Sequence, residues 1–231
     1  MIQDFKQVSE ELGLSFNNLD FLAEALTHRS FLNEHREWKL PHNEKLEFLG
    51  DAVLGFVVAD YLVQQYPELQ EGALTSLRAA LVNSDSLLSV AHQLQLEKYL
   101  LVSKGEAKDF QNPRSYILSN AVEALIGALY LDGGIEKARQ FIQKYFFPKT
   151  EEILKTSSYK DAKSLFQEKS QEILGITPNY KTLKSWGPDH NKQFEVGVYL
   201  KDELVATGQG YSKQEAELQA ADTALKLKGW Q

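Results

Sequence analysis

Three carboxylates are set into an otherwise apolar stretch, Asn43-Glu44-Lys45-Leu46-Glu47-Phe48-Leu49-Gly50-Asp51-Ala52-Val53-Leu54. On a helix, where each residue advances by about 100°, Glu44, Glu47 and Asp51 fall within an arc of roughly 60° and share one face. Crowded carboxylates in apolar surroundings cost several kcal/mol unless a cation or matched donors compensate. A second stretch, Ser119-Asn120-Ala121-Val122-Glu123-Ala124-Leu125, repeats the theme, with Asn120 and Glu123 one helical turn apart. Together these residues offer an oxygen-only nest suited to Mg²⁺, with Mn²⁺ as a substitute, and unsuited to softer metals. The competing reading makes the acids structural ion pairs with Arg78, Lys45 or Arg29. Against it, Phe48-Leu49 and Val53-Leu54 leave little room for a wet polar face. The chain has no cysteine, which excludes thiolate nucleophiles, thiolate zinc sites and disulfides, and its five histidines are scattered.

The elements that must position these acids read as helices. From Phe5 to about Phe147 the apolar spacing is helical almost throughout, most clearly over residues 44–65, 74–94 and 116–131. A loop is expected at Ser103-Lys104-Gly105-Glu106 and a helix stop at Asp132-Gly133-Gly134. The helix bearing Phe48, Leu49, Val53, Leu54, Phe56 and Val57 is apolar on nearly every side, which predicts a central, fully packed position. With 231 residues, 43% hydrophobic and 25% charged, the composition is ordinarily globular and excludes a disordered, collagenous or coiled-coil chain. The longest apolar runs, residues 52–59 and 124–131, fall far short of the roughly 18–20 residues that span a bilayer. Met1 to Lys6 has no basic-then-apolar signal pattern, so the chain is expected to stay in the cytoplasm where it is made.

Net charge is −7, which at first argues against a polyanion-binding surface, but the charge is unevenly distributed. Residues 1–154 carry 14 Lys/Arg against 22 Asp/Glu, whereas residues 155–231 carry 11 against 10. The division expected is a first domain over 1–149, a polar linker over 150–159 and a second domain over 160–231. The second domain reads α-β-β-β-α: a helix over 161–174 closed by Gly175, strands over 180–186, 193–200 and 203–208, and a helix opening at Ser212. On the first helix Ser164, Gln167, Glu168 and Gln171 share a polar face, with Ala162, Leu165, Phe166 and Ile173 broadly opposite. In the second strand Phe194, Val196, Val198 and Leu200 alternate inward. Gly187-Pro188-Asp189-His190 makes a tight turn. Ser212-Lys213-Gln214-Glu215 reads as a capping box that leaves backbone N–H groups and Lys213 facing outward, a phosphate site. Ala216, Ala220, Ala221 and Ala224 form a small-residue face for close packing.

The 43–54 block resembles the signature of the ribonuclease III endonuclease domain. The surrounding blocks agree: Ala25-Leu26-Thr27-His28-Arg29-Ser30, Glu71-Gly72, Leu77-Arg78-Ala79 and residues 123–134. The 160–231 blocks resemble the double-stranded RNA-binding domain, so the resemblance covers nearly the whole chain. It implies an all-α ribonuclease III endonuclease domain followed by a small α+β double-stranded RNA-binding domain. Glu47, Asp51 and Glu123 match the family's metal ligands and catalytic carboxylates. Asn120 matches a fourth, normally Asp, and lowers the charge of the site by one. Glu44 and Glu71 match acids near the dimer interface and cleavage valley. Ser164, Gln167, Glu168, Gln171, His190 and Lys213 match RNA-contacting positions, although a second Lys common beside Lys213 is Gln214 here. Lys104 either meets RNA backbone or is a solvated loop residue.

The activity so implied is that of a homodimeric, Mg²⁺-dependent endoribonuclease. It would cut duplex RNA to 5′-phosphate and 3′-hydroxyl ends with short 3′ overhangs, in rRNA and mRNA precursor processing and decay. No membrane and no small-molecule cofactor are expected. Two alternatives remain: a non-catalytic double-stranded RNA-binding protein disarmed at Asn120, and a structural α-helical dimer whose acids make salt bridges.

Overall fold

The computed structural model describes residues 3–107, 116–156, 162–188 and 192–230, and its contacts divide the chain into two compact units, Met1–Thr156 and Ser157–Gln231. The first unit is helical: α1 (Phe5–Glu11), α2 (Leu19–Ala25), α3 (Arg29–Glu34), α4 (Glu44–Gln65), α5 (Glu71–Val82), α6 (Ser84–Gln93), α7 (Tyr116–Tyr145) and α8 (Thr150–Thr156). Short polar side chains start several of these helices by taking up orphan N–H groups. Asp4 accepts from Lys6 N–H, Asn18 from Asp20 N–H and Asn83 from Ser86 N–H. The last of these divides residues 74–94, expected as one helix, into α5 and α6. The apolar spacing runs on past Asn83, but its extended backbone (φ −69°, ψ 167°) ends one helix and caps the next.

The core of this unit is the crossing of α4 and α7. Leu46, Val53, Leu54, Val57, Val58 and Leu62 of α4 are buried, as are Leu118, Val122, Leu125, Ile126 and Leu129 of α7. The helices meet glycine to glycine: a methyl group on Gly50 would lie 1.7 Å from the Glu123 carbonyl oxygen, and one on Gly127 would lie 2.2 Å from that of Leu46. The expected stop near Asp132 is found as a bend at Gly134 (φ 76°), after which α7 resumes to Tyr145. Asp132 fixes this corner by accepting from the backbone N–H groups of Asn17 and Asn18 and pairing with Lys137.

Two expectations for this unit are corrected. The helix carrying the acids is not fully packed: Phe48 is 81% exposed, Phe56 58% and Val63 59%, and together with Ala52 they line one open stripe of α4. Apolarity on every side was correctly read, but this unit covers only part of the helix. Nor is 150–159 a plain linker, because Thr150–Thr156 forms α8, which packs against α5.

The second unit has α9 (Ala162–Leu174), β1 (Asn179–Trp186), β2 (Gln193–Leu200), β3 (Glu203–Gly210) and α10 (Lys213–Lys228). The strands form an antiparallel sheet in the order β1-β2-β3. Its core joins Phe166 of α9, Val198 and Leu200 of β2, Ala206 of β3 and Ala220, Ala221, Ala224 and Leu225 of α10. The alanine face lets α10 lie so close to β3 that a methyl on Gly208 would stand 2.2 Å from the Ala220 amide nitrogen. The third strand runs two residues further than expected, to Gly210. Ile173, expected on the inner side of α9, is 52% exposed. Among the described residues no helix is long and apolar enough to cross a membrane.

Candidate functional site

The close crossing of α4 and α7 is what sets the acids together. Glu47 and Asp51 flank Gly50 on α4, and Glu123 carries the very carbonyl against which Gly50 packs. With no side chain between the backbones, the carboxylates of the two helices act on one another. Glu123 is half-buried, and desolvation, with the charges of Asp51 and Glu47, pushes its carboxyl up to about 7. Glu47 is raised as well, chiefly by burial and then by Glu44 and Asp51, while a hydrogen bond donated by the Asn120 side chain opposes the shift. Asn120 thus serves here as a donor to a carboxylate. An Asp at this position would add a further negative charge beside Glu47.

This donor set fits a hard divalent cation. It is made only of carboxylate and amide oxygens, and the raised pKa of Glu123 comes first from burial and then from the charges of Asp51 and Glu47, a setting that a bound cation would relieve. Glu47, Asp51, Glu123 and the Asn120 amide oxygen are the groups that could hold the ion. Among the described residues no three carboxylate or imidazole groups already converge as a finished metal cage.

Glu47 and Asn120 open into a cleft of roughly 390 Å³, also lined by His28, Arg29, Ser30, Asn33, Asn43, Glu44, Glu106 and Tyr116. Glu44 stands at the start of α4 and pairs with Arg29 at 3.1 Å, with His42 at 3.8 Å. The ion-pair alternative raised by the sequence therefore holds for Glu44 through Arg29. His28 caps α3 by accepting from Ser30 N–H at Nδ1, and its burial lowers its pKa. Thr27 donates to the Ala23 carbonyl from a fully buried position, a packing role. Glu71 opens α5, is exposed, and lies outside the lining of the cleft. Lys104 is exposed in the turn after Ser103.

In the second unit Ser164, Gln167, Glu168 and Gln171 are all exposed along α9, and Gln171 accepts from the Thr177 hydroxyl. Ser212 caps α10 by accepting from Glu215 N–H, and Glu215 reaches back to Tyr211 N–H rather than to Ser212. Lys213 is exposed in the first turn of α10. His190 lies outside the described residues.

Gly50 and Gly127, which let the helices approach, were missed from sequence, and Arg29, named there as an ion-pair partner, was not expected to line the cleft. The first two had a signal, glycines placed next to Asp51 and four residues after Glu123 in segments otherwise strongly helical.

A family model described as Ribonuclease-III-like matches residues 18–150, and one described as double-stranded RNA binding motif matches residues 162–228. Among curated proteins the chain is 42% identical to Ribonuclease 3 of a Nitratiruptor species, over 98% of this chain and 97% of the relative. It is 47% identical to Ribonuclease 3 of Moorella thermoacetica, over 94% of this chain and 92% of the relative. A solved nuclease domain of ribonuclease III from Campylobacter jejuni, described for structural flexibility in a region involved in dimer formation, is similar to 63% of this chain. That match covers 99% of the solved chain at 40% identity, with a TM-score of 0.54.

Proposed function

The chain belongs to the ribonuclease III family, and from that premise we propose that Glu47, Asp51, Asn120 and Glu123 form the metal-holding hydrolytic centre of a homodimer. The protein is a double-strand-specific endoribonuclease, with a double-stranded RNA-binding domain after its nuclease domain. The observation that carries the assignment of the centre is the glycine-to-glycine crossing, which sets the α4 and α7 carboxylates against one another.

Glu47, Asp51, Glu123 and the Asn120 amide oxygen would hold Mg²⁺ or Mn²⁺, which when bound would supply charge neutralisation at the phosphoryl oxygens and acidification of water. The residues do the rest. Glu47 and Asp51, one turn apart on α4, hold two carboxylates in fixed register. Asn120 steadies Glu47 by donating to it, and Glu123, whose carboxyl is pushed up to about 7 mainly by burial, would release to solvent whatever proton it carries when a cation binds. Hydrolysis on the 3′-oxygen side of the phosphate leaves 5′-phosphate and 3′-hydroxyl ends. Two such centres, one per strand, leave short 3′ overhangs.

The exposed stripe of Phe48, Ala52, Phe56 and Val63 supports the homodimer, since a second copy of the chain would cover it. Ser164, Gln167, Glu168 and Gln171 on α9, His190, and Lys213 at the start of α10 are the contacts assigned to duplex RNA, with Lys104 added from the nuclease unit. Contacts of this kind read the minor-groove edges and phosphates of A-form RNA by shape.

The test is cleavage of a long perfect RNA duplex with Mg²⁺ and with EDTA. Wild type is expected to cut only with metal, and Glu123→Gln to lose cutting while still binding duplex. Binding without cutting, with activity gained only in Asn120→Asp, would instead mean that the centre is disarmed at that residue.

A further inference from the structure

The cleft beside Glu47 and Asn120 contains more than the hydrolytic centre needs. We infer that it is a seat for the RNA backbone next to the scissile bond, and that Arg29, presented by α3 and steered by Glu44, grips a backbone phosphate there. The inference rests on the nuclease reading above and adds a substrate-binding residue to it.

Charge is the first argument. The cleft is lined by Glu44, Glu47 and Glu106, and Arg29 is the one cation among the described residues that line it. Burial of the neighbouring His28 disfavours its charged form. Glu44 is already paired with Arg29, so a polyanion lying in such a cleft meets repulsion chiefly from Glu47 and Glu106, and Arg29 is the lining cation placed to offset it.

Geometry is the second argument. Arg29 is held by one guanidinium nitrogen, 3.1 Å from Glu44, and its side chain is 68% exposed. A pair this open to water adds little to stability, so the pair does not by itself account for Arg29. What it does is aim the guanidinium. Five N–H donors sit on that planar fork, and the contact with Glu44 leaves most of them free to meet phosphate oxygens. Asn33, one turn further along α3, lines the same cleft and offers an amide donor on the same side.

Anchoring is the third. The backbone entering α3 is fixed on both sides of the site: His28 N–H donates to the Leu101 carbonyl at 2.9 Å, and Leu101 N–H donates to the Leu26 carbonyl at 2.8 Å. The Ser30 hydroxyl accepts from Ser103 N–H at 3.0 Å and meets His28 Nδ1 at 2.8 Å. Arg29 therefore projects from a rigid base, so a phosphate contact made by it is spared the entropy of ordering a loop.

The experiment uses the full chain, with Arg29→Ala, Arg29→Gln and Arg29→Lys beside wild type. A short perfect RNA duplex is followed in two assays: binding in EDTA across a series of salt concentrations, and steady-state cleavage in Mg²⁺. Arg29→Ala and Arg29→Gln are expected to weaken binding about tenfold and to lower the salt slope of binding by about one. They are expected to raise KM while kcat changes by less than about threefold. Arg29→Lys should keep the salt slope and recover part of the affinity, because it keeps the charge and loses the fork. Unchanged affinity and salt slope in a folded Arg29→Gln protein would overturn the inference. So would a loss confined to melting temperature and kcat. Wild type that binds duplex but does not cut it would count against the nuclease centre and leave the binding comparison to decide on Arg29.

Discussion

The backbone carbonyl oxygen of Glu123 occupies the space where a side chain at Gly50 would begin, 1.7 Å from the position of its Cβ. The residue bearing a key carboxylate is thus also the floor on which the opposite helix rests. Gly50→Ala must push α4 and α7 apart, at a cost of about 2–3 kcal/mol. The expected outcome is a lower melting temperature together with a loss of cleavage larger than the loss of duplex binding.

The protonation of Glu123 predicts how stability depends on pH. Its carboxyl is raised from 4.5 to about 7 in the folded, metal-free protein. Between those values the folded state binds more protons than the unfolded state. The stabilisation is therefore complete below about pH 4.5 and is lost as pH rises through 7. Glu47 shifts in the same direction. In EDTA, chemical denaturation should show stability falling by about 1–2 kcal/mol from pH 5 to 8, a figure reduced because Glu123 is only half-buried. Glu123→Gln should flatten the dependence, and Mg²⁺ should release protons on binding near pH 6.

Asn120 has opposite effects with and without metal. Asn120→Asp removes the donor to Glu47 and adds a charge, so the metal-free protein should melt lower. The same change should tighten Mg²⁺ binding by about tenfold, because affinity follows the number of charged ligands. Calorimetric titration of Mg²⁺ and thermal melts in EDTA check the two halves separately.

The open stripe on α4 predicts the assembly. Phe48→Glu replaces a side chain that is 81% exposed, so a single copy should fold unchanged. Sedimentation is expected to give a dimer for wild type and a monomer for Phe48→Glu, with circular dichroism unaltered.

Much of this could be read from the residues because two periods were strong. The register of Glu47 with Asp51, and of Asn120 with Glu123, follows from helical spacing alone, and the alternation in β2 placed Val196, Val198 and Leu200 on the buried face. What could not be read has physical causes. Apolar spacing shows that Phe48 and Phe56 avoid water, not which surface they avoid it against, so the helix was expected to be fully enclosed. The break at Asn83 was hidden because residues on both sides keep the helical period, and only the capping side chain interrupts it. Arg29 was legible as part of a sequence block, but its place in the cleft depends on how α3 is hung from Leu101, about 70 residues away. The mutual action of Glu47, Asp51 and Glu123 likewise rests on a helix crossing that sequence spacing does not contain.

Asp132 has a bearing on how the protein is made. Its carboxylate receives the amides of Asn17 and Asn18 across separations of 115 and 114 residues. During synthesis the segment around Asn17 must wait until Asp132 leaves the ribosome before this corner can close, and the α4 partner surface must wait for α7. At about 5–20 residues per second that wait is on the order of ten seconds, during which the apolar sides of α2 and α4 lack their native cover. The nuclease unit should therefore become protease-resistant late and in one step, once the emerged chain extends past Phe146 and α8, rather than helix by helix as it emerges.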